Sequence, residues 1–295
     1  MDFLKLKKKY LPAVLLILLL SPIGTNLLFS QYEIKYSKLR FYVKIKGSAA
    51  FAKAGDFGAL IDGNELVYPQ QDSYNGTVTK DSYFQGFGGE IGLEVDRYSI
   101  GIEVGHLAKS FDTSQNSTGQ TTSFSGSTVE RTGTLSVMPV LVNIHYSLIN
   151  HPVFKIKTNL GFGWYLAKYK ETSIETFESG SITSSEGTLK AKTSFPGIRT
   201  GLTLQINVMK KISLFVEGIY RIAPFKNFNG DVRYKDDYHL FDEYYKGNLF
   251  YLVNNDTGEG RFAIEDDLST SSWTGEKAKS AITGFSVNVG IKLTF

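Results

Sequence analysis

His145 and Ser147 are the two residues of this chain whose types and spacing could carry nucleophilic catalysis. A serine hydroxyl needs a base within hydrogen-bond reach, and that base needs a third group to orient it. Residues two apart point to the same side of a strand, so the imidazole and the hydroxyl would share one face. What that face meets depends on the elements that carry the pair.

Cofactor and metal chemistry have weaker support. One run of glycines has the wrong spacing for a dinucleotide fingerprint or a phosphate-binding loop, and small inward residues are the better interpretation: Gly86, Gly88, Gly89 and Gly92. His106, His151 and His239 show no metal-ligand spacing, and the chain has no cysteine. Acidic residues near positions 236–243 and 265–267 match no defined calcium loop. We therefore expect no cofactor, no metal site and no catalytic residue.

The amino terminus has the pattern of a secretory signal peptide. Four lysines between positions 5 and 9 precede the apolar run 10–20, and Pro22 and Gly24 end it. The run is shorter than the roughly 20 residues of a membrane-spanning helix, so a retained anchor is the weaker alternative. We predict cleavage of residues 1–30, between Ser30 and Gln31, which leaves 31–295 as the mature domain. The leader carries the formal net charge of +3, so the mature chain is about neutral and nucleic-acid binding has no support.

Eight later segments alternate apolar and polar residues, each near or above the roughly nine to eleven residues of a tilted membrane strand. They are 39–52, 83–95, 98–111, 132–148, 153–170, 195–209, 212–223 and 284–295. In the last segment an apolar residue fills every odd position from Phe285 to Phe295. Since strands show successive side chains to opposite faces, each segment has one apolar and one polar face.

The connections between these segments alternate between short and long. A few residues join segments two to three, four to five and six to seven, whereas the long connections cover about 53–82, 112–131, 171–194 and 224–283. This layout is typical of an all-β, transmembrane, antiparallel up-and-down β-barrel with eight strands and four long external loops. The termini and short turns would then be periplasmic and the loops extracellular. A soluble sandwich also alternates and is the alternative.

The polar face of these segments carries a predicted lumen network of twelve charged residues. The interior of an eight-stranded barrel is just wide enough for side chains to fill, so ion pairs would close it. A structural polar core is therefore favoured over a narrow anion-preferring conduit. The twelve residues are Arg40, Lys44, Lys46, Glu90, Glu94, Glu103, Lys155, Lys157, Arg199, Glu217, Arg221 and Lys292.

The end of the chain carries a further pattern. Asn288, Gly290, Leu293 and Phe295 fit the carboxyl-terminal signal that the barrel-assembly machinery reads in outer-membrane proteins. With its eight segments, the mature chain resembles the small outer-membrane barrels of the OmpA, OmpX, OmpW and Opa type. The resemblance implies a bacterial outer-membrane location, contact with outer-membrane lipid and lipopolysaccharide, and assembly by that machinery. It implies no catalytic site.

Outer-membrane lipid A deacylases carry a His-x-Ser pair on a barrel strand, followed by a glutamate. Here the pair faces the lumen beside the short turn at Asn150, and no glutamate occurs between Ser147 and Glu171. We therefore interpret His145 and Ser147 as polar lumen residues and predict that the protein is not an enzyme.

The last long connection alternates aromatic residues with acids. Residues 249–253 and 261–264, around Asn254, Asn255 and Gly258, have a hairpin pattern. Aromatic-rich protrusions suit recognition of an extracellular protein or ligand, and folding over the barrel mouth is the alternative. The sequence thus predicts a non-enzymatic outer-membrane barrel whose surface loops serve binding, adhesion or envelope structure. The alternative is an OmpW-like narrow channel for small apolar or anionic solutes.

Overall fold

The computed structural model describes residues 39–53, 74–80, 83–121, 124–177, 184–236, 242–254, 260–264 and 273–295. The predicted signal peptide, residues 1–30, lies outside these ranges, as do His239 and residues 265–267. Residues 40–295 form one compact unit. Among the described residues, no helix has the length and apolar character needed to cross a membrane.

Eight strands close into an antiparallel ring. They are β1 (Arg40–Lys53), β3 (Phe84–Val95), β4 (Tyr98–Thr121), β5 (Phe124–Asn150), β6 (Phe154–Phe177), β7 (Ser184–Asn207), β8 (Ile212–Ile222) and β15 (Thr283–Thr294). Each strand pairs with its sequence neighbours in the ring, and β15 closes the ring by pairing with β8 on one side and β1 on the other. The all-β antiparallel class is therefore confirmed, and the last predicted segment pairs with the first.

The ring presents an apolar belt to its outside. Ile45 is 66% exposed, Phe87 70% and Trp164 60%, and every ring strand contributes exposed aliphatic or aromatic side chains. The alternate residues of the same strands point inward, where lysines, arginines and glutamates are buried. The alternation in the sequence is thus resolved with the charged face inside and the apolar face outside.

The two faces exchange character farther along β4, β5 and β6. On β6, Trp164 is exposed and the next inward residues are buried aromatic or aliphatic residues, namely Tyr165, Ala167 and Tyr169. Beyond Trp164 the outward face instead carries the exposed Lys168 and Lys170. On β4 and β5, Phe111 and Leu135 are likewise buried. Each of these strands therefore has a part with an apolar exterior and a part with an apolar interior.

Two of the predicted long loops are largely strand. β4 and β5 form one hairpin as far as Thr121 and Phe124, and β6 and β7 form another as far as Phe177 and Ser184. The predicted loops 112–131 and 171–194 are therefore wrong as loops. These extensions are rich in Ser, Thr and Glu, so they lack the apolar alternation by which strands were recognised. Part of the first predicted loop is also strand, since β2 (Tyr74–Lys80) pairs with β4.

The last connection builds a second sheet region. It contains β9 (Pro224–Phe225), β10 (Asn229–Asp236), β11 (Asp242–Asn254), β12 (Gly260–Ile264), β13 (Trp273–Lys277) and β14 (Ser280–Ala281). β10 pairs with residues 185–192 of β7, whereas β8 pairs with residues 198–207 of the same strand. β11 continues the sheet beyond β10. Leu249 pairs with Ile264 and Val253 with Gly260, which confirms the predicted hairpin.

Ring closure predicts different effects for two glycines in the β1–β15 pair. A Cβ at Gly290 would lie 2.1 Å from the carbonyl oxygen of Ile45 and 2.8 Å from the Phe215 ring, whereas a Cβ at Gly47 would have no neighbour within 4 Å. We expect Gly290→Ala to lower the free energy of unfolding by about 1–3 kcal/mol through overpacking. Gly47→Ala is the control and should leave it unchanged.

The measurement is the urea midpoint of protein refolded into detergent micelles, where no assembly machinery acts. Equal midpoints for the two variants would contradict the close backbone approach at Gly290.

Candidate functional site

The interior of the ring gathers most of the residues of the predicted lumen network. Eleven of the twelve are buried there, on β1, β3, β4, β6, β7, β8 and β15. Arg40 is different: it is exposed, because it is the first residue of β1 and extends past the rim. Together with Glu94 and Lys155, it borders a cavity of about 320 Å³ at that rim.

Near this rim one carboxylate binds three ammonium groups. Glu94 on β3 accepts from Lys155 at 2.9 Å and from Lys157 at 3.0 Å, both on β6, and also from Lys292 on β15. Since β3 and β6 are separated by β4 and β5 in the ring, the pairs of Glu94 with Lys155 and Lys157 cross the lumen.

The second group surrounds Glu90, deeper in the ring. Its carboxylate accepts from the Tyr42 hydroxyl and from the Asn143 amide at 2.9 Å, and it pairs with Lys44 at 3.2 Å. The Nε2 atom of His145 lies 2.8 Å from the same carboxylate. Every residue of this group is buried, so the carboxylate is surrounded by protein donors.

The third group joins Glu103 and Glu217 through two cations. The guanidinium of Arg199 lies against Glu103 with contacts of 2.7 and 2.6 Å. Lys46 reaches both carboxylates, at 2.8 Å from Glu103 and 3.4 Å from Glu217. Glu217 also accepts from the Asn288 amide at 2.8 Å.

Two of these carboxylates are direct cross-strand neighbours. Glu90 on β3 lies opposite Glu103 on β4, an arrangement that is unfavourable for like charges. The amide nitrogen of Asn143 donates to both, at 2.9 and 3.0 Å, and Arg199 contributes positive charge beside them. The repulsion is therefore offset by groups from β5 and β7.

Positive charge is in excess inside the ring. Among the described residues, the predicted network buries more lysines and arginines than glutamates, so some cations must lack a carboxylate of their own. Arg221 on β8 is such a cation: within the described part of the chain its Nε and Nη1 atoms have no hydrogen-bond partner. It lies directly opposite Arg199 in the β7–β8 pair.

Above the charged groups the interior is filled by apolar side chains. Phe225, Phe228, Leu249 and Ile264 from the last connection join one buried cluster with ring residues of β3 to β7, including Phe84, Leu107, Leu135, Tyr165 and Ala167. Tyr169 in this layer donates to Glu171 at 2.6 Å, and burial, followed by that carboxylate, raises the pKa of its hydroxyl well above the usual value. The last connection thus packs into the mouth of the ring.

The remaining candidates include the histidine–serine pair on β5 and the predicted assembly signal at the end of the chain. His145 and Ser147 are both buried in the interior, and His145 is part of the group around Glu90. Within the described ranges, no three residues of metal-ligating type are grouped to hold an ion. Among the four residues of the predicted assembly signal, Asn288 binds Glu217 inside the ring. Phe295 is exposed with its ring 5.9 Å from that of Phe41.

Sequence reasoning missed the uncharged members of the network. Tyr42, Asn143 and Asn159 each donate to a buried glutamate. All three occupy inward-facing positions in the alternation of their strands, as the charged residues do. That alternation was the signal that could have found them. Which carboxylate each would meet depends on the register across several strands.

The network predicts that the same change of charge has unequal effects inside and outside the ring. Glu103→Gln leaves Arg199 and Lys46 with less compensation in a buried site, and we expect a loss of about 3–5 kcal/mol of unfolding free energy. Asp242→Asn is the matched control, since the Arg233–Asp242 pair is half exposed and solvent screening should make its contribution small. Urea unfolding in micelles measures both, and comparable losses would contradict the buried network.

The two neighbouring arginines give a second contrast. Arg199→Met removes the guanidinium that pairs with Glu103 and should destabilise by about 3–5 kcal/mol. Arg221→Met removes a cation without a carboxylate partner, so its stability should equal or exceed that of the wild type. A larger loss for Arg221→Met than for Arg199→Met, in the same unfolding measurement, would show that the pairing is wrong.

Comparison with solved structures finds distant likenesses, among them two outer-membrane proteins. One is a major outer membrane protein from Thermus thermophilus, at 10% identity, covering 87% of this chain and 99% of that chain with a TM-score of 0.42. The other is the outer membrane protease OmpT from Escherichia coli, at 10% identity, covering 89% of this chain and 100% of that chain with a TM-score of 0.36. No protein-family model and no curated protein sequence matches the chain.

Proposed function

We propose that this protein is a non-enzymatic β-barrel that spans the bacterial outer membrane and presents a binding surface outside the cell. The observation that carries the proposal is the continuous apolar belt on the outside of the eight-stranded ring, with charged side chains inside. A soluble protein rarely exposes a contiguous apolar area of this kind, whereas lipid solvates it well. A closed ring also leaves no unpaired strand edge in the hydrocarbon.

The two ends of the ring support one orientation in the membrane. At one end short turns, such as Asp96–Arg97, join the ring strands, and at the other end the strands continue into long hairpins. In outer-membrane barrels short turns are periplasmic and long connections are extracellular. Aromatic pairs near the short-turn end, including Tyr98 with Tyr146 at 5.1 Å, suit the lipid headgroup boundary. We therefore place the short turns and both termini in the periplasm.

The filled interior supports binding over transport. Cross-lumen ion pairs occupy the part of the ring inside the belt, and the apolar cluster occupies the part above it. A solute would have to displace both layers. The OmpW-like channel therefore has less support, although the excess interior cations are its one favourable feature.

The extracellular part offers a large surface for recognition. It comprises the parts of β4 to β7 that extend beyond the apolar belt, away from the short turns, and the sheet formed by β10 to β13. Tyr234 and Tyr244 are exposed on it. Exposed tyrosines on a rigid sheet suit contact with a protein or other ligand at low entropic cost. We propose that this surface, rather than the lumen, carries the function in adhesion or envelope structure.

Conductance in planar bilayers tests the closed barrel. We expect protein refolded into the bilayer to give no steady current, because both interior layers block the lumen. The same preparation should show heat-modifiable migration on a gel, which reports the folded barrel. A steady ion current that is lost in Lys157→Ala would sink the binding proposal in favour of a channel.

Mass spectra of lipid A from cells with and without the protein test the non-enzymatic assignment. We expect identical spectra, because His145 and Ser147 face the interior network rather than the lipid. A modification of lipid A that disappears in His145→Ala would overturn this part of the proposal.

A further inference from the structure

Five lysines form a basic surface on the outside of the ring, where the apolar belt ends. Lys168 and Lys170 on β6, Lys190 and Lys192 on β7, and Lys246 on β11 are all exposed. They line a surface cavity of about 630 Å³. We call these five residues the lysine surface.

Strand register brings the five side chains together. Lys168 lies opposite Lys192, and Lys170 lies opposite Lys190. In the next strands Asp231 of β10 lies between Lys190 and Lys246. The lysine surface therefore spans four neighbouring strands in two adjacent rows.

The described residues offset only part of the charge of the lysine surface: Asp231 lies opposite Lys190 and Lys246, and Glu186 lines a neighbouring cavity together with Lys190. Asp231 is the one carboxylate among the described residues that line the cavity, and no ion pair of the five lysines occurs within the described part of the chain. Two directly opposed Lys–Lys pairs are unfavourable in an antiparallel sheet. An anion with more than one negative charge would relieve this repulsion.

The position of the lysine surface identifies the source of that anion. Trp164 on β6 and Ile198 on β7 are exposed belt residues on the same outward face, and Lys168 follows Trp164 by four residues. Four residues of a tilted strand span about 10 Å along the barrel axis. If Trp164 lies at the boundary of the hydrocarbon, the lysines lie at the level of the outer-leaflet headgroups.

We propose that the lysine surface binds the phosphate groups of a phosphorylated glycolipid in the outer leaflet. The acyl chains would lie against the belt below, and the phosphates would lie between the opposed lysines. Lysine is a common phosphate ligand, and each lysine near a charged membrane surface contributes to attraction. This inference rests on the proposed membrane placement and adds a specific lipid contact to it.

The test compares two double variants of the full chain refolded in detergent micelles. Lys170→Gln/Lys190→Gln removes an opposed pair from the lysine surface, and Lys210→Gln/Lys211→Gln removes the same charge from exposed residues of a short turn. The probe is bisphosphorylated lipid A, with dephosphorylated lipid A alongside, and native mass spectrometry counts the bound lipid. We expect the first variant to bind bisphosphorylated lipid A on the order of 20-fold more weakly than the wild type. The second variant should bind it as the wild type does.

Each other outcome overturns the inference in a recognisable way. If Lys170→Gln/Lys190→Gln retains wild-type affinity, or if both lipids bind equally, the lysine surface does not recognise lipid phosphate. If soluble tripolyphosphate displaces the lipid through the same lysines, the ligand is a free polyanion. Heat-modifiable migration is measured first on the same samples: its absence in the wild type removes the barrel proposal itself, whereas its presence with no lipid preference removes only this inference.

Discussion

The ring depends on keeping its buried glutamates paired with cations across the lumen. A carboxylate removed from water without donors has a large free-energy cost, and the interior of an eight-stranded ring has little room for water. Glu94, Glu103 and Glu217 each meet cations or amides from strands that are not their neighbours in the ring. The network therefore links opposite walls, so strand number, register and lumen content constrain one another.

The sequence predicted the ring well because, within the apolar belt, one face of each ring strand is mainly apolar. Each of the eight predicted segments overlaps one ring strand, and the first three begin within one residue of β1, β3 and β4. Parity also assigned eleven charged residues to the interior. It could not assign their partners, because the pairing of Arg199 with Glu103 depends on several strand registers together. Arg40 was predicted to lie inside the ring and is exposed, because the alternation of a strand does not show where the rim of the ring lies.

The part of the fold beyond the apolar belt was less predictable for a different physical reason. There the outward residues of the described strands are mostly Ser, Thr, Lys and Glu, so hydrophobic alternation loses contrast. The inner residues become apolar because the last connection packs against them, as Phe225 and Phe228 do. That packing partner lies far along the chain from β4 and β5. Local patterns therefore carry little information about it.

In the proposed membrane placement, the exchange of apolar faces along β6 has a consequence for position in the bilayer. Moving the barrel outward by a few residues would bring Trp164 and its neighbours into water, and moving it inward would press Lys168 and Lys170 into hydrocarbon. Both displacements raise the free energy. The change from Trp164 to Lys168 and Lys170 on the outward face therefore fixes the depth of the strand in the bilayer. In the proposed orientation, the sheet of β10 to β13 is consequently held at a set height above the lipid, and an external partner would meet it at that height.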